Sequence, residues 1–191
     1  VIIETVVTTR DDAGTVNFAA MGVVWGEDRI TIRPFLNTRT YKNLTRVGEA
    51  VVNVTDNVLI FAKSALTHEP CDSMPARHVN GVVLKDTCHW REVVVERIVP
   101  PAAGELPRAQ VITRVVGGGE LRPFAGLCRA KHAVVEASIL ASRVHLVARD
   151  DLLRELDRLD VLVDKTGDDQ EREAMAFIRA AVARRARRSA R

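Results

Sequence analysis

The chain has 191 residues, enough for one substantial hydrophobic core with a smaller second lobe, and its 47% apolar content excludes wholesale disorder. No apolar run approaches the roughly 20 residues of a membrane helix, and the first residues alternate like a strand rather than a signal-peptide core, so a cytoplasmic protein is expected. The net charge of +3 does not mark a nucleic-acid binder: Arg184, Arg185, Arg187, Arg188 and Arg191 crowd the C-terminal end, and subtracting them leaves −2.

Residues 2–10 are rich in β-branched side chains, Asp11-Asp12-Ala13-Gly14 reverses the chain, and residues 16–25 continue the extended pattern. A hairpin follows. Gly26-Glu27-Asp28 turns into residues 29–34, so the first third reads as an antiparallel meander that Pro34 ends. Residues 40–47 read as a short helix stopped by Gly48. Residues 50–55 (Ala-Val-Val-Asn-Val-Thr) form a nearly continuous apolar strand, the kind buried on both faces. Residues 56–66 read as a helix capped by Asp56, and residues 67–80 as a polar, proline-punctuated surface loop. Strands are expected at 87–99 and 108–116, separated by Pro100, Pro101, Gly104 and Pro107.

Gly117-Gly118-Gly119 opens no helix after a strand, so it is no dinucleotide fingerprint and reads as a hinge between barrel and helices. Beyond it the apolar period changes to about 3.6 residues. Ala130, Val134, Ala137, Ala141 and Val144 mark one helix and Leu152, Leu156, Leu159 and Val163 a second. After a break at Lys165-Thr166-Gly167, Ala174, Phe177, Ile178 and Ala181 mark a third. Aliphatic stripes of this spacing are packing surfaces. The expected fold class is α+β, mainly a β barrel, with a barrel domain over residues 1–120 and a C-terminal helical region over 121–191.

The run Arg33-Pro-Phe-Leu-Asn-Thr-Arg-Thr-Tyr-Lys-Asn-Leu44 joins a strand to a helix through clustered hydroxyls, amides and bases. Thr38 and Thr40 sit at the helix start, where main-chain N–H groups, the helix dipole and Arg39 can converge on a phosphate. Alternatively, Asn37 or Thr38 is only an N-cap and Arg39 a solvated side chain; the loop alone leaves both readings open. Asn17-Phe-Ala-Ala-Met-Gly-Val23 ends in small residues around a glycine, which lets a flat ring approach the main chain. Met21, Val23, Trp25 and Phe35 are either apolar contacts for such a ring or ordinary core. Small antiparallel barrels with one strand–helix phosphate loop can hold flavin mononucleotide (FMN), whose ring needs apolar cover and whose rim needs main-chain donors and acceptors.

Other chemistry has less support. Among His68, Glu69, Cys71, His78, Cys88 and His89 no pair has zinc-site spacing, so no metal is expected. Cys88 and His89, adjacent in an expected strand, point to opposite faces and cannot pair as nucleophile and base. The three cysteines, with Cys128 the last, are scattered and read as free thiols.

The segments Glu4-Thr-Val-Val-Thr-Thr9, 17–25, 33–44 and Gly48-Glu-Ala-Val-Val-Asn-Val-Thr-Asp56 resemble the uncharacterised-domain family 447 of the FMN-binding split-barrel superfamily. The likeness continues through Arg129-Ala-Lys-His-Ala-Val-Val-Glu-Ala-Ser-Ile-Leu-Ala-Ser-Arg143 and Asp164-Lys-Thr-Gly167. It implies a flavin reductase-like, FMN-binding split β-barrel with a C-terminal helical region. Thr40-Tyr-Lys-Asn43-Leu44 matches the superfamily's Thr-x-x-Asn-Ile/Leu element, which opens the helix under the flavin phosphate. The cofactor-binding residues expected on the two grounds together are Ala20, Met21, Gly22, Val23, Arg33, Phe35, Thr38, Arg39, Thr40 and Asn43. The resemblance further implies a homodimer with flavin at the subunit junction; Trp90, Lys131 and His132 are candidates for pocket residues from the second chain. The implied activity is an FMN-dependent oxidoreductase, with a pterin-related, one-carbon substrate suggested by the family's gene neighbourhoods. A non-catalytic FMN-binding electron carrier or sensor is the alternative, and an RNA-associated barrel using the arginine tail ranks third.

Overall fold

A computed structural model describes residues 1–126 and 128–189, and the chain divides into two compact units, 1–55 with 69–124 and 56–68 with the residues from 125 onward. The helix after the fourth strand falls in the second unit, where its Val58 and Ala62 join the apolar cluster of the C-terminal helices.

In the first unit, β1 (Ile2–Arg10) and β2 (Val16–Val24) pair antiparallel along their whole length, Ile2 opposite Val24 and Arg10 opposite Val16. Gly14, at φ 84°, supplies the left-handed step that closes the turn between them. β3 (Arg29–Ile32) is followed by α1 (Arg39–Arg46), β4 (Glu49–Val54) and, after an excursion into the second unit through α2 (Val58–Leu66), β5 (Ser73–Pro75) and β6 (Val82–Leu84). β7 (His89–Val99) and β8 (Gln110–Glu120) complete a closed barrel in the order β1-β2-β3-β8-β7-β4, with β5 and β6 forming a separate two-stranded sheet. Val7, Val23, Ile30, Ile32, Val52, Val93 and Val111 fill its interior.

Helix α1 packs onto this core through Thr40, Asn43 and Leu44, the i, i+3, i+4 stripe of one helical face. Gly48, at φ 77°, stops it as expected. β4 is buried on both sides, as its apolar run predicts. Ala50 and Val52 face the barrel interior, while Val51 and Asn53 lie under the β5–β6 sheet: Asn53 Oδ1 accepts from Leu84 N–H at 2.9 Å, and Val51 packs with Val83.

Three expectations need correction. The 67–80 loop contains β5, a three-residue strand ending in Pro75 and too short to be read from periodicity. Helix α2 is capped by Asn57, whose Oδ1 accepts from Leu59 and Ile60 N–H at 3.1 Å, so the cap falls one residue after Asp56. Gly117-Gly118-Gly119 is no hinge, because all three residues lie inside β8 opposite Glu92, Arg91 and Trp90. A Cβ on Gly119 would stand 2.4 Å from the Trp90 ring and one on Gly117 2.2 Å from the His78 ring, so the glycines make room for two neighbouring rings.

The second unit comprises α2, α3 (Arg129–Ser142), α4 (Arg149–Thr166) and α5 (Asp169–Ser189). α3 buries Ala130, Ala133, Val134, Ala137, Ser138 and Ala141, mostly small side chains that allow close helix packing against Leu152, Leu156, Ala174 and Ile178. No helix of the described residues is long and apolar enough to cross a membrane. The basic tail from residue 186 is described only as α5 backbone up to Ser189, and Arg191 lies outside the described residues.

Candidate functional site

Strand β2 is bonded unequally on its two edges. Its whole length pairs with β1, but on the β3 side only Val23 and Val24 find strand partners, Ile32 and Thr31. Residues 16–22 therefore have no strand on that edge among the described residues. Antiparallel residues alternately turn both N–H and C=O toward one neighbour and then the other, so every second residue of this stretch offers a donor and an acceptor to the open edge.

The connection from β3 to α1 runs beside this gap. Leu36 N–H donates to Pro107 O at 3.0 Å and Thr38 N–H to Phe35 O at 3.1 Å, which fixes the loop. Thr38 is the N-cap: its Oγ1 accepts from Tyr41 N–H at 3.3 Å and donates to Phe35 O at 2.7 Å. The first-turn N–H groups of α1 have no intrahelical acceptor and carry the positive end of the helix dipole. Arg33 and Arg39 are exposed on the same loop and first turn, and Phe35 keeps 37% of its surface open.

Thr40 and Asn43 are turned the other way. Asn17 Nδ2 donates to Thr40 Oγ1 at 3.1 Å, and Asn43 Nδ2 donates to Thr9 Oγ1 at 3.0 Å; all four residues are buried. The Thr-x-x-Asn spacing thus bolts α1 to β1 and β2 from one helical face and aims its N-terminus, where Thr38 is half-buried and Arg39 exposed. This arrangement gives Thr40 and Asn43 a part in positioning α1.

Four consecutive residues of a strand cannot all present side chains to one ligand, and the structure separates Ala20, Met21, Gly22 and Val23 accordingly. Val23 is fully buried in the barrel core, against which half-buried Met21 and Trp25 also pack. Ala20 and Gly22 occupy the opposite face. Gly22 lies beneath the ends of two exposed side chains, since a Cβ there would meet Ile2 Cγ2 at 2.8 Å and Glu4 Oε1 at 3.0 Å.

The remaining candidates lie elsewhere. Trp90 Nε1 donates to Glu92 Oε1 at 3.1 Å, and the Glu92 carboxylate, 1% exposed, also accepts main-chain N–H bonds from Arg77, His78 and Val79. Burial by itself pushes the Glu92 carboxyl up, but the His78 N–H, the Trp90 indole and the Arg77 N–H outweigh it and hold the group below its ordinary value. Lys131 belongs to the helical unit, where its Nζ donates to Glu171 Oε1 at 2.8 Å, Asp56 O at 2.9 Å and Gln170 Oε1 at 3.2 Å. A cleft of about 400 Å³ beside it is lined by Cys128, Thr166, Asp168 and Glu171. His132, on the next position of α3, is exposed.

Two features of the barrel unit escape sequence reading. Arg108 comes to lie over Phe35 from more than seventy positions away in the chain, 4.2 Å from guanidinium carbon to ring centroid. No local pattern announces that meeting. Glu92 has apolar Trp90 and Val94 two places away on either side in β7, and its clue is a charge at a position where the alternation predicts burial. No group of three or more His, Cys, Asp or Glu side chains among the described residues is arranged to hold a metal.

Two family models cover most of the chain: the N-terminal domain of a protein of unknown function (DUF447) over residues 3–119 and the DUF447 C-terminal domain over 128–180. Among solved structures, an FMN-bound protein of Methanosarcina mazei matched to the same DUF447 model superposes with TM-score 0.81 at 21% identity, covering 94% of each chain. Nitrilotriacetate monooxygenase component B of Bacillus cereus matches 63% of this chain and 70% of its own at TM-score 0.54 and 20% identity. The styrene monooxygenase flavin reductase of Pseudomonas putida S12 matches 63% and 82% at TM-score 0.53 and 16% identity. The barrel has the FMN-binding split-barrel fold.

Proposed function

The chain belongs to the DUF447 family, and from that premise we propose that it is an FMN-binding flavoprotein acting as a homodimeric, flavin reductase-like oxidoreductase. The observation that carries this reading is the open edge of β2 beside the first turn of α1. A planar ring with a polar rim is met by the alternating donors and acceptors of residues 16–22, and a phosphate by the α1 N–H groups with Arg39 and Arg33. Thr38 holds the first turn together, and Asn17–Thr40 and Asn43–Thr9 keep ring edge and phosphate end in fixed register. Ala20 offers little side-chain bulk to a ring lying on that side, and Phe35 supplies an exposed apolar face.

FMN, when bound, supplies hydride and electron transfer through its ring; the protein orients it and leaves one side for a donor or acceptor. A second copy of this chain, covering the open edge, is the partner that completes the pocket. A reduced pterin is the proposed electron partner, with a nicotinamide as the competing donor.

Purified protein mixed with FMN and desalted is expected to keep an oxidised-flavin absorbance band. Arg39→Gln is expected to weaken FMN about tenfold while leaving riboflavin, which lacks the phosphate, unchanged. Protein that stays colourless overturns the reading. Bleaching of the band by NADH, NADPH or a reduced pterin distinguishes an oxidoreductase from an electron carrier, which none of the three reduces.

A further inference from the structure

One end of the barrel is held by α1, whose Asn43 and Thr40 meet Thr9 near the end of β1 and Asn17 near the start of β2. The start of β7 lines the opposite end. There His89 and Arg91 pair with Val54 and Val52 of β4 and share a face with Val93, which belongs to the barrel core. Trp25, just past β2, meets them: its ring is edge-on to His89 with centroids 5.6 Å apart, and the Arg91 guanidinium carbon lies 5.8 Å from it. Strands β2 and β7 are not neighbours in the barrel order, so this contact runs across the barrel mouth.

Among the described residues the two polar side chains have few partners. Arg91 donates only to Trp90 O, at 3.1 Å, and makes no ion pair. A Cβ on Gly118 would stand 3.2 Å from Arg91 Nη1, so the bare glycine lets the side chain lie across β8. His89 Nδ1 is buried without a partner, while Nε2, which is not buried, makes no hydrogen bond either. Burial first, and then Arg91, hold His89 below its ordinary value against the opposing pull of Glu120, so the ring is neutral. A neutral imidazole has one N–H, and Nε2 is the nitrogen at which it can reach a partner. Arg91 and His89 thus offer donors with a single positive charge between them. A planar fork of that charge matches a carboxylate rather than a phosphate dianion, and exposed Glu120, opposite His89, weighs further against a second negative charge. The Trp25 ring adds a flat apolar wall.

We propose that Arg91 and His89, walled by Trp25, bind the carboxylate of a small planar organic acid at this end of the barrel. The Arg91 fork takes the carboxylate, His89 Nε2–H donates to one of its oxygens, and the body of the acid lies against the Trp25 ring. The site goes beyond the flavin reading and does not depend on it.

The test follows the indole N–H signals of the two tryptophans by NMR, with benzoate as the probe and benzamide as its uncharged counterpart. Trp25→Phe identifies the Trp25 signal. Benzoate is expected to shift that signal saturably, and far more than the signal of Trp90, whose indole is bonded to Glu92 on the other face of β7. Benzamide is expected to shift neither. Arg91→Met is expected to weaken benzoate about tenfold, and Arg91→Lys, which keeps the charge without the fork, about threefold. His89→Phe, which keeps a ring against Trp25 and removes both nitrogens, is expected to weaken it about fivefold. Glu120→Gln is expected to strengthen it about threefold at low salt. The Trp90 signal reports in each variant that the barrel unit is folded. A Trp25 signal that benzoate leaves in place, benzamide that matches benzoate, or affinity unchanged in the Arg91 and His89 variants overturns the carboxylate site. The flavin reading is judged separately, by the absorbance band kept after FMN is added, and survives any of these results.

Discussion

Each unit buries a glutamate, and the two are kept ionised by different means. In the barrel unit, Glu92 has main-chain N–H groups of residues 77–79 and the Trp90 indole around it. In the helical unit, Glu171 meets the Lys131 ammonium and the Asp168 N–H, the second contact being the N3 half of a capping box at the start of α5. Both carboxyls lie below their ordinary value although burial pushes each of them up. The difference is in what is held. Glu92 fixes irregular chain between β5 and β6, which has little regular hydrogen bonding of its own. Lys131 and Glu171 join α3 to α5, helices that already share an apolar core.

The comparison predicts unequal costs, and the chain carries its own probes for measuring them. Trp25, Trp90 and Tyr41 all belong to the barrel unit, so tryptophan fluorescence follows that unit while helical circular dichroism is weighted toward the other. The largest effect is expected for Glu92→Gln, which puts an amide NH2 among donors that need acceptors. A loss of about 3 kcal/mol is expected in urea unfolding followed by fluorescence. A loss below about 1 kcal/mol would break the contrast, because it would mean that the 77–79 segment is held by other contacts.

Lys131→Met is expected to cost about 2 kcal/mol in the dichroism transition, since Glu171 stays buried without its ammonium. The fluorescence transition is expected to stay in place. Substituting Glu171→Leu on top of it is expected to recover most of the loss.

The smallest effect is the acid limb. A carboxyl whose folded value is depressed stabilises the protein above its unfolded value, near 4.3, and that contribution disappears as pH falls through the folded value. Both transitions are therefore expected to be level above about pH 5 and to weaken below about pH 4. Glu92→Gln is expected to flatten the acid limb of fluorescence alone. Parallel acid limbs in the variant would show that Glu92 is not the group responsible.

Much of this architecture was legible in the chain. The β1–β2 hairpin follows from β-branched runs around Asp11-Asp12-Ala13-Gly14, and α1 from Thr38 at one end and Gly48 at the other. The helices of the second unit follow from their apolar period. The strand-to-helix corner was also visible, because capping and phosphate binding both need local hydroxyls, amides and bases. Val23 was not separable from Gly22 as a ring contact until the pairing register fixed which side chains face inward.

The alternation of residue types and the turn chemistry, both local properties of the chain, determined by themselves the succession of the six barrel strands and of the helices and the site of the β3–α1 corner, but not the short β5 and β6. Only tertiary structure decided that Gly117-Gly118-Gly119 lies under Trp90 and His78, that Glu92 holds residues 77–79, that α2 joins the C-terminal helices, and that Arg108 rests on Phe35. Each of these depends on which distant segments become neighbours when the barrel closes. A glycine, a glutamate or an arginine carries no local record of the ring or amide that will come to lie against it.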